Sequence, residues 1–135
     1  MKQETWTAAE YNRFVRLGVE PDRTGKVESK GKRDTSEAVF QGRVIKIAEA
    51  AGWMCYHTYD SRRCRPGYPD VTLVRGGRLI FAELKRENGK LRPEQVEWID
   101  ALTEVARAAN LHGADRIGVY VWRPSDLPEI EEVLK

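Results

Sequence analysis

Residues 67–88 read GYPDVTLVRGGRLIFAELKREN. Two apolar, β-branched runs flank a Gly-Gly pair, the composition of a two-residue turn closing a β-hairpin. With Gly76 and Gly77 as the turn, Val74 meets Leu79, Thr72 meets Phe81 and Asp70 meets Glu83. Directly opposed residues hold their Cβ atoms roughly 4.5–5.5 Å apart, and like charges there are destabilising. Lys85 lies two residues beyond Glu83 and projects from the same face. The hairpin therefore gathers two carboxylates and an ammonium at its open end.

Such a pair of carboxylates raises its own pKa values unless a counter-charge intervenes. A hard divalent cation is one such counter-charge, because Mg²⁺ accepts carboxylate and carbonyl oxygens while keeping several waters. The Leu84 carbonyl, between Glu83 and Lys85, is a further candidate ligand. A metal so placed can activate water and shield charge developing on a phosphate, and Lys85 could orient or deprotonate that water. Paired carboxylates also serve glycosidases, but the lysine and the surrounding charge fit phosphate chemistry better. Between Arg62 and Arg92, nine basic residues (Arg62, Arg63, Arg65, Arg75, Arg78, Lys85, Arg86, Lys90, Arg92) stand against Asp70, Glu83 and Glu87. That segment is +6 in a chain of +2, so the remainder sums to −4. A basic segment of this kind suits a polyanionic partner.

Outward from the hairpin, the chain of 135 residues is one domain's worth. Its 41% hydrophobic and 33% charged residues describe a globular protein with a charged surface. No apolar run approaches the length of a membrane span, and MKQETWTAAEY at the start lacks a secretory h-region. Two cysteines, Cys55 and Cys64, are too few for a disulfide framework and imply a reduced, intracellular (cytoplasmic) setting. With His57 they lack the paired spacing of a zinc site.

A capping box at Thr7–Glu10 starts a short N-terminal helix, so residues 1–19 read as a helical extension. Residues 20–34, almost devoid of apolar side chains, read as a flexible, mildly basic linker, and 35–135 as the compact domain. A helix over 34–51 places Phe40, Val44, Ile47, Ala48 and Ala51 on one face, with Glu37 and Gln41 in the same stripe. Polar residues on a core-facing stripe need partners, which a metal site or ordinary hydrogen bonds could supply. Residues 53–59 read as a strand and 60–69 as a basic loop. Pro93 opens a helix to about 110 whose expected buried stripe is Gln95, Trp98, Leu102, Val105 and Ala109. A last strand over 116–122 and a short helix capped by Ser125 or Asp126 close the chain. Trp53, Trp98 and Trp122 are expected in the core.

Pro69-Asp70 followed by Glu83-Leu84-Lys85 resembles the PD-(D/E)XK nuclease signature. Ser36-Glu37 with Gln41, GYPDVTLV, FAELKRENGKLRPEQVEW and VYVWRPSD resemble, more narrowly, the VRR-NUC branch over roughly residues 36–126. The resemblance implies an α/β, restriction-endonuclease-like core of order α-β-β-β-α-β, with a mixed sheet flanked by helices. It implies a Mg²⁺- or Mn²⁺-dependent DNA endonuclease of phage or bacterial type, acting on branched DNA such as four-way junctions or flaps, usually as a homodimer. Asp70, Glu83 and Glu37 would bind the metal with the Leu84 carbonyl, Lys85 would be the catalytic lysine, and Gln41 and Gln95 would order the site. Arg62, Arg63, Arg65, Arg86, Lys90 and Arg92 are the candidate phosphate contacts, and Tyr68 either stacks on a base or packs the hairpin's end. The rival expectation is a non-catalytic nucleic-acid-binding or partner-recruiting module of a replication or repair complex.

Overall fold

The computed structural model describes residues 35–58, 63–113 and 115–135. The expected N-terminal helix, the linker, Tyr59 and Arg62 lie outside the described residues. In chain order the elements are α1 (Thr35–Ala50), β1 (Met54–His57), β2 (Val71–Arg75), β3 (Arg78–Leu84), α2 (Pro93–Ala109), β4 (Ile117–Trp122), a 3₁₀ turn (Pro124–Asp126) and α3 (Leu127–Leu134). The strands form one mixed sheet in the order β1-β2-β3-β4. β1, β2 and β3 pair antiparallel, whereas β4 runs parallel to β3. The parallel pair needs a crossover, and α2 supplies it. This is the α/β, restriction-endonuclease-like arrangement expected from the sequence. Among the described residues no helix is long and apolar enough to cross a membrane.

The hairpin keeps the register read from its turn: Val71 faces Ala82, Thr72 faces Phe81, Val74 faces Leu79 and Arg75 faces Arg78. Gly76 and Gly77 take φ of +53° and +80°, the left-handed values that a type I′ turn demands at both centres and that side chains resist.

The sheet has a core on each face. On one, α1 and α3 bury Phe40, Val44 and Ala48 against Leu73, Ile80, Leu84, Trp122, Ile130 and Leu134. Ile47 and Ala51 pack at its margin, as the helical stripe predicts. On the other, α2 buries Leu91, Ile99 and Ala106 against Val119, with Phe81, Val96, Leu102, Ile117 and Val121 alongside. Strand alternation then sends Ile80, Ala82 and Leu84 toward α1 and α3, and Phe81 and Glu83 toward α2.

Four expectations are corrected here. The buried stripe of α2 is Ile99, Thr103 and Ala106, one position round from the expected one, and Val105 is exposed. Thr103 enters the core because its hydroxyl donates to the Ile99 carbonyl at 2.6 Å, leaving its methyl to pack. Trp53 and Trp122 are buried but Trp98 is not. Finally, β1 starts at Met54 because the Trp53 N–H closes the end of α1 on the Ala48 carbonyl at 3.0 Å. Asp126 is the N-cap residue of α3 by position, but neither candidate side chain caps it. The Asp126 carboxylate accepts from the Arg123 N–H at 2.8 Å, and the Ser125 hydroxyl is engaged with Glu87.

Candidate active site

Beyond Val71, β2 stops pairing through its backbone and Asp70 takes over with its side chain. Its Oδ2 accepts the Leu84 N–H at 2.8 Å. In an extended strand a residue's N–H and C=O leave on the same side, so the Leu84 carbonyl is directed to the Asp70 side of β3. The next residue turns the other way: the Lys85 N–H donates to the Trp122 carbonyl at 2.9 Å. The end of β3 is thus fastened by Asp70 on one flank and β4 on the other.

Glu83 is 1% exposed and Lys85 7%, burial that neither residue type accepts without a partner. The Lys85 ammonium lies 3.8 Å from Glu83 Oε1. The same oxygen accepts the Gln95 amide at 2.7 Å. Gln95 is the third residue of α2, and its own oxygen accepts the Arg92 N–H at 2.9 Å, the reach-back half of a capping box. One side chain therefore caps a helix and holds a carboxylate in place.

The second oxygen of Glu83, Oε2, is buried without a donor. The Asp70 carboxyl lies within hydrogen-bonding reach of Glu83, but two carboxylates have no proton to share. Burial pushes both above the ordinary carboxylate range. For Glu83 the shift is large: the Asp70 charge adds to burial, and Lys85 offsets only part of it. For Asp70 the Leu84 N–H, Glu83, Lys85 and Arg92 all work against burial. A proton or a cation between the two groups would relieve their repulsion. The oxygen-only donor set, with one orphaned buried oxygen, fits a hard divalent cation.

Glu37 belongs to α1, which packs on the opposite face of the sheet, and its charge reaches Glu83 and raises it further. Among the described residues no three His, Cys, Asp or Glu side chains are grouped closely enough to hold an ion together. Gln41, one turn along α1, is half-buried. The structure thus brings Asp70, Glu83, Lys85 and Gln95 into one cluster, with Glu37 at electrostatic range.

Both basic segments sit at this end of the sheet, one entering β2 and the other leaving β3. Loop 63–67 is pinned to the first turns of α2, where the Trp98 indole donates to the Pro66 carbonyl at 3.1 Å. Gly67 has φ of +96° and passes so close that a Cβ would collide with the Glu94 carbonyl. Arg63 and Arg65 are exposed on this loop, with the Arg65 guanidinium 5.9 Å from the Trp98 ring centre and 3.9 Å from Glu97. Tyr68 packs edge-on to Trp98 and Phe81, at 5.2 and 6.3 Å between ring centres, and its hydroxyl pairs with that of Thr72 at 3.0 Å. The second segment carries half-buried Arg86 and exposed Lys90 and Arg92. Arg123 fastens it by donating to the Gly89 carbonyl at 2.9 Å, and Glu87 accepts the Ser125 backbone N–H and, at 3.0 Å, its hydroxyl.

Two of the nine basic residues do other work. Arg75 and Arg78 are at the turn end of the hairpin, over the Trp53 ring at 4.5 and 5.1 Å. Arg75 donates to the Ala51, Leu134 and Lys135 carbonyls at 2.7, 3.1 and 2.6 Å, and Arg78 to that of Val133 at 3.3 Å. Charge counting alone does not separate them from the site's cations. Trp98 was missed as a site neighbour, although its place one turn after Gln95 is the signal that could have found it.

A family model described as the VRR-NUC domain matches residues 23–115, more than half of the chain. The match takes in Glu37, Gln41, Asp70, Glu83, Lys85 and Gln95, and it begins within the stretch read as a linker. No curated protein and no solved structure matches the chain.

Proposed function

The chain belongs to the VRR-NUC family, whose members are nucleases of the PD-(D/E)XK type, and from that premise we propose that it is a divalent-metal-dependent endonuclease hydrolysing DNA phosphodiester bonds. The observation that carries this reading is the pairing of buried Glu83 with half-buried Asp70, short of a counter-charge, beside the Lys85 ammonium. Asp70, Glu83 and the Leu84 carbonyl would hold Mg²⁺ or Mn²⁺, with Glu37 as a further carboxylate. A bound cation would activate the attacking water and shield the charge that develops on the phosphate.

The protein's own groups supply the rest. Lys85, held 3.8 Å from Glu83 Oε1, is poised to orient or deprotonate water and to face negative charge on the phosphate oxygens. Gln95 is a positioning residue that keeps Glu83 in one rotamer through a 2.7 Å bond, and Gln41 is assigned to the ordering of the Glu37 side of the site. Arg63, Arg65, Arg86, Lys90 and Arg92 hold the phosphate backbone, joined by Arg62. Selectivity for branched DNA and pairing into a homodimer complete the proposal on the strength of the family resemblance.

Incubation with Mg²⁺ or Mn²⁺ and a panel of four-way junction, flap, linear duplex, single-stranded DNA and RNA, followed by mapping of the cuts, tests the reading. Cleavage should require the metal, favour the branched substrates and vanish in Asp70→Ala and Glu83→Ala. Cutting that persists in either variant sinks the assignment.

A further inference from the structure

The face of the sheet that carries Glu83 is only half covered. α2 packs over β3 and β4, while among the described residues only Tyr68 reaches onto the β1–β2 half, at Thr72, and Met54 is 75% exposed, Tyr56 64% and Val74 43%. These side chains share that face by strand alternation, because Cys55, between Met54 and Tyr56, packs into the opposite core. The pairing makes two rows across the sheet. Met54 faces Val74, which faces Leu79; Tyr56 faces Thr72, which faces Phe81. The Tyr56 row is the one next to the carboxylates, since Asp70 and Glu83 lie two residues further along their strands, about 6.7 Å away.

The two approaches to the carboxylates differ in kind. Beyond the end of the sheet lie the basic loops, with Arg63, Arg65, Lys90 and Arg92 exposed. Over the β1–β2 half the three large exposed side chains among the described residues are one aromatic and two apolar, none of them a cation. Phosphates suit the first side and neutral ring surfaces the second. A duplex turns its phosphates outward and keeps its bases stacked on one another, so it offers nothing to an apolar platform. An unpaired strand does, because every base has a face to stack.

Resting on the nuclease reading above, we propose that the β1–β2 half-face is a stacking platform for unpaired nucleotides adjoining the cleaved phosphate, with Tyr56 taking a base. Met54 and Val74 flank it and exclude water. The substrate class this selects is DNA with a single-stranded segment beside the cut, the duplex portion lying toward the basic loops.

The test uses the full chain and two probes of one sequence, a forked DNA with 2-aminopurine in its single-stranded arm and the same DNA fully paired, with Ca²⁺ in place of Mg²⁺. The wild type should quench the 2-aminopurine and bind the fork more tightly than the duplex. Tyr56→Ala should lose the quench and weaken fork binding roughly 5- to 150-fold, the worth of one stacked base, while duplex binding holds. Tyr56→Phe should keep both. Equal loss on the two probes, or loss on neither, overturns the platform. So does a change from dimer to monomer in Tyr56→Ala, by sedimentation, without a change in fork binding, which would give the face to a second copy of the chain. A wild type that quenches but never cuts with Mg²⁺ or Mn²⁺ leaves the platform standing and overturns the nuclease reading. One that cuts without Tyr56-dependent quenching does the reverse.

Discussion

Both ends of the β2–β3 hairpin set like charges side by side, and they resolve the conflict differently. At the turn, Arg75 directly faces Arg78. Each guanidinium lies over Trp53 and donates to carbonyls at the ends of α1 or α3, and Arg78 also stands 3.8 Å from Asp115. The repulsion is absorbed by structure. At the open end Asp70 and Glu83 meet with Gln95, Lys85 and one backbone N–H for company, and an oxygen of Glu83 stays orphaned. Opposed like charges are therefore no mark of a site by themselves. What sets the open end apart is a buried carboxylate that is not fully satisfied, a group whose cost a proton or a bound cation would offset.

The comparison breaks first under substitution at the open end. Asp70→Asn and Glu83→Gln keep the shape of the site and should lower metal-dependent cleavage by more than about 10³-fold, some 4 kcal/mol of barrier, in a single-turnover assay on folded protein. Lys85→Ala should cost about 10²-fold in the same assay while DNA binding, followed by fluorescence anisotropy, stays within a few-fold of wild type. At the turn end the order of effects inverts. Arg75→Ala, which removes three hydrogen bonds and a cation–π contact, should lower stability in urea by about 1–3 kcal/mol and leave cleavage per folded molecule unchanged.

The smallest effect has the sign that separates the two ends most sharply. Glu83→Gln should raise the stability of the metal-free protein at pH 8, by about 1 kcal/mol, because a buried charge is removed while the Gln95 bond can persist. Both carboxyls titrate above their ordinary range in the folded chain and within it in the unfolded one. The folded state thus holds protons that the unfolded state releases. The contribution is full below about pH 4 and is lost as the pH rises through the raised values. Urea midpoints of metal-free wild type and Glu83→Gln should therefore diverge toward alkaline pH, and Mg²⁺ should close the gap by stabilising the wild type.

The hairpin, its register and the element order were legible in the sequence because turn chemistry and strand alternation are local. Gly76-Gly77 fixes every pair outward to Val71 and Ala82, where the ladder ends and the Asp70 side chain bonds the Leu84 N–H instead. What failed was the part set by tertiary contact. Thr103 hides its hydroxyl in its own helix, so polarity alone mis-set the stripe of α2. Arg75 and Arg78 carry the same charge as Arg65, and only the position of the α3 C-terminus distinguishes their work. Gln95 reads as a helix-start residue, whereas its second role depends on how α2 docks beside β3. Glu37 was read from its place on α1, but the distance from α1 to Glu83 is a property of the packed sheet.

The central claim is that Asp70 and Glu83 form a divalent-cation site, and Mn²⁺ titration followed by electron paramagnetic resonance tests it most directly. The account predicts that wild type draws Mn²⁺ out of the free-ion signal, that Asp70→Asn and Glu83→Gln each lose most of that uptake, and that Arg75→Ala keeps it. Mn²⁺ uptake by both carboxylate variants equal to that of wild type would contradict the account.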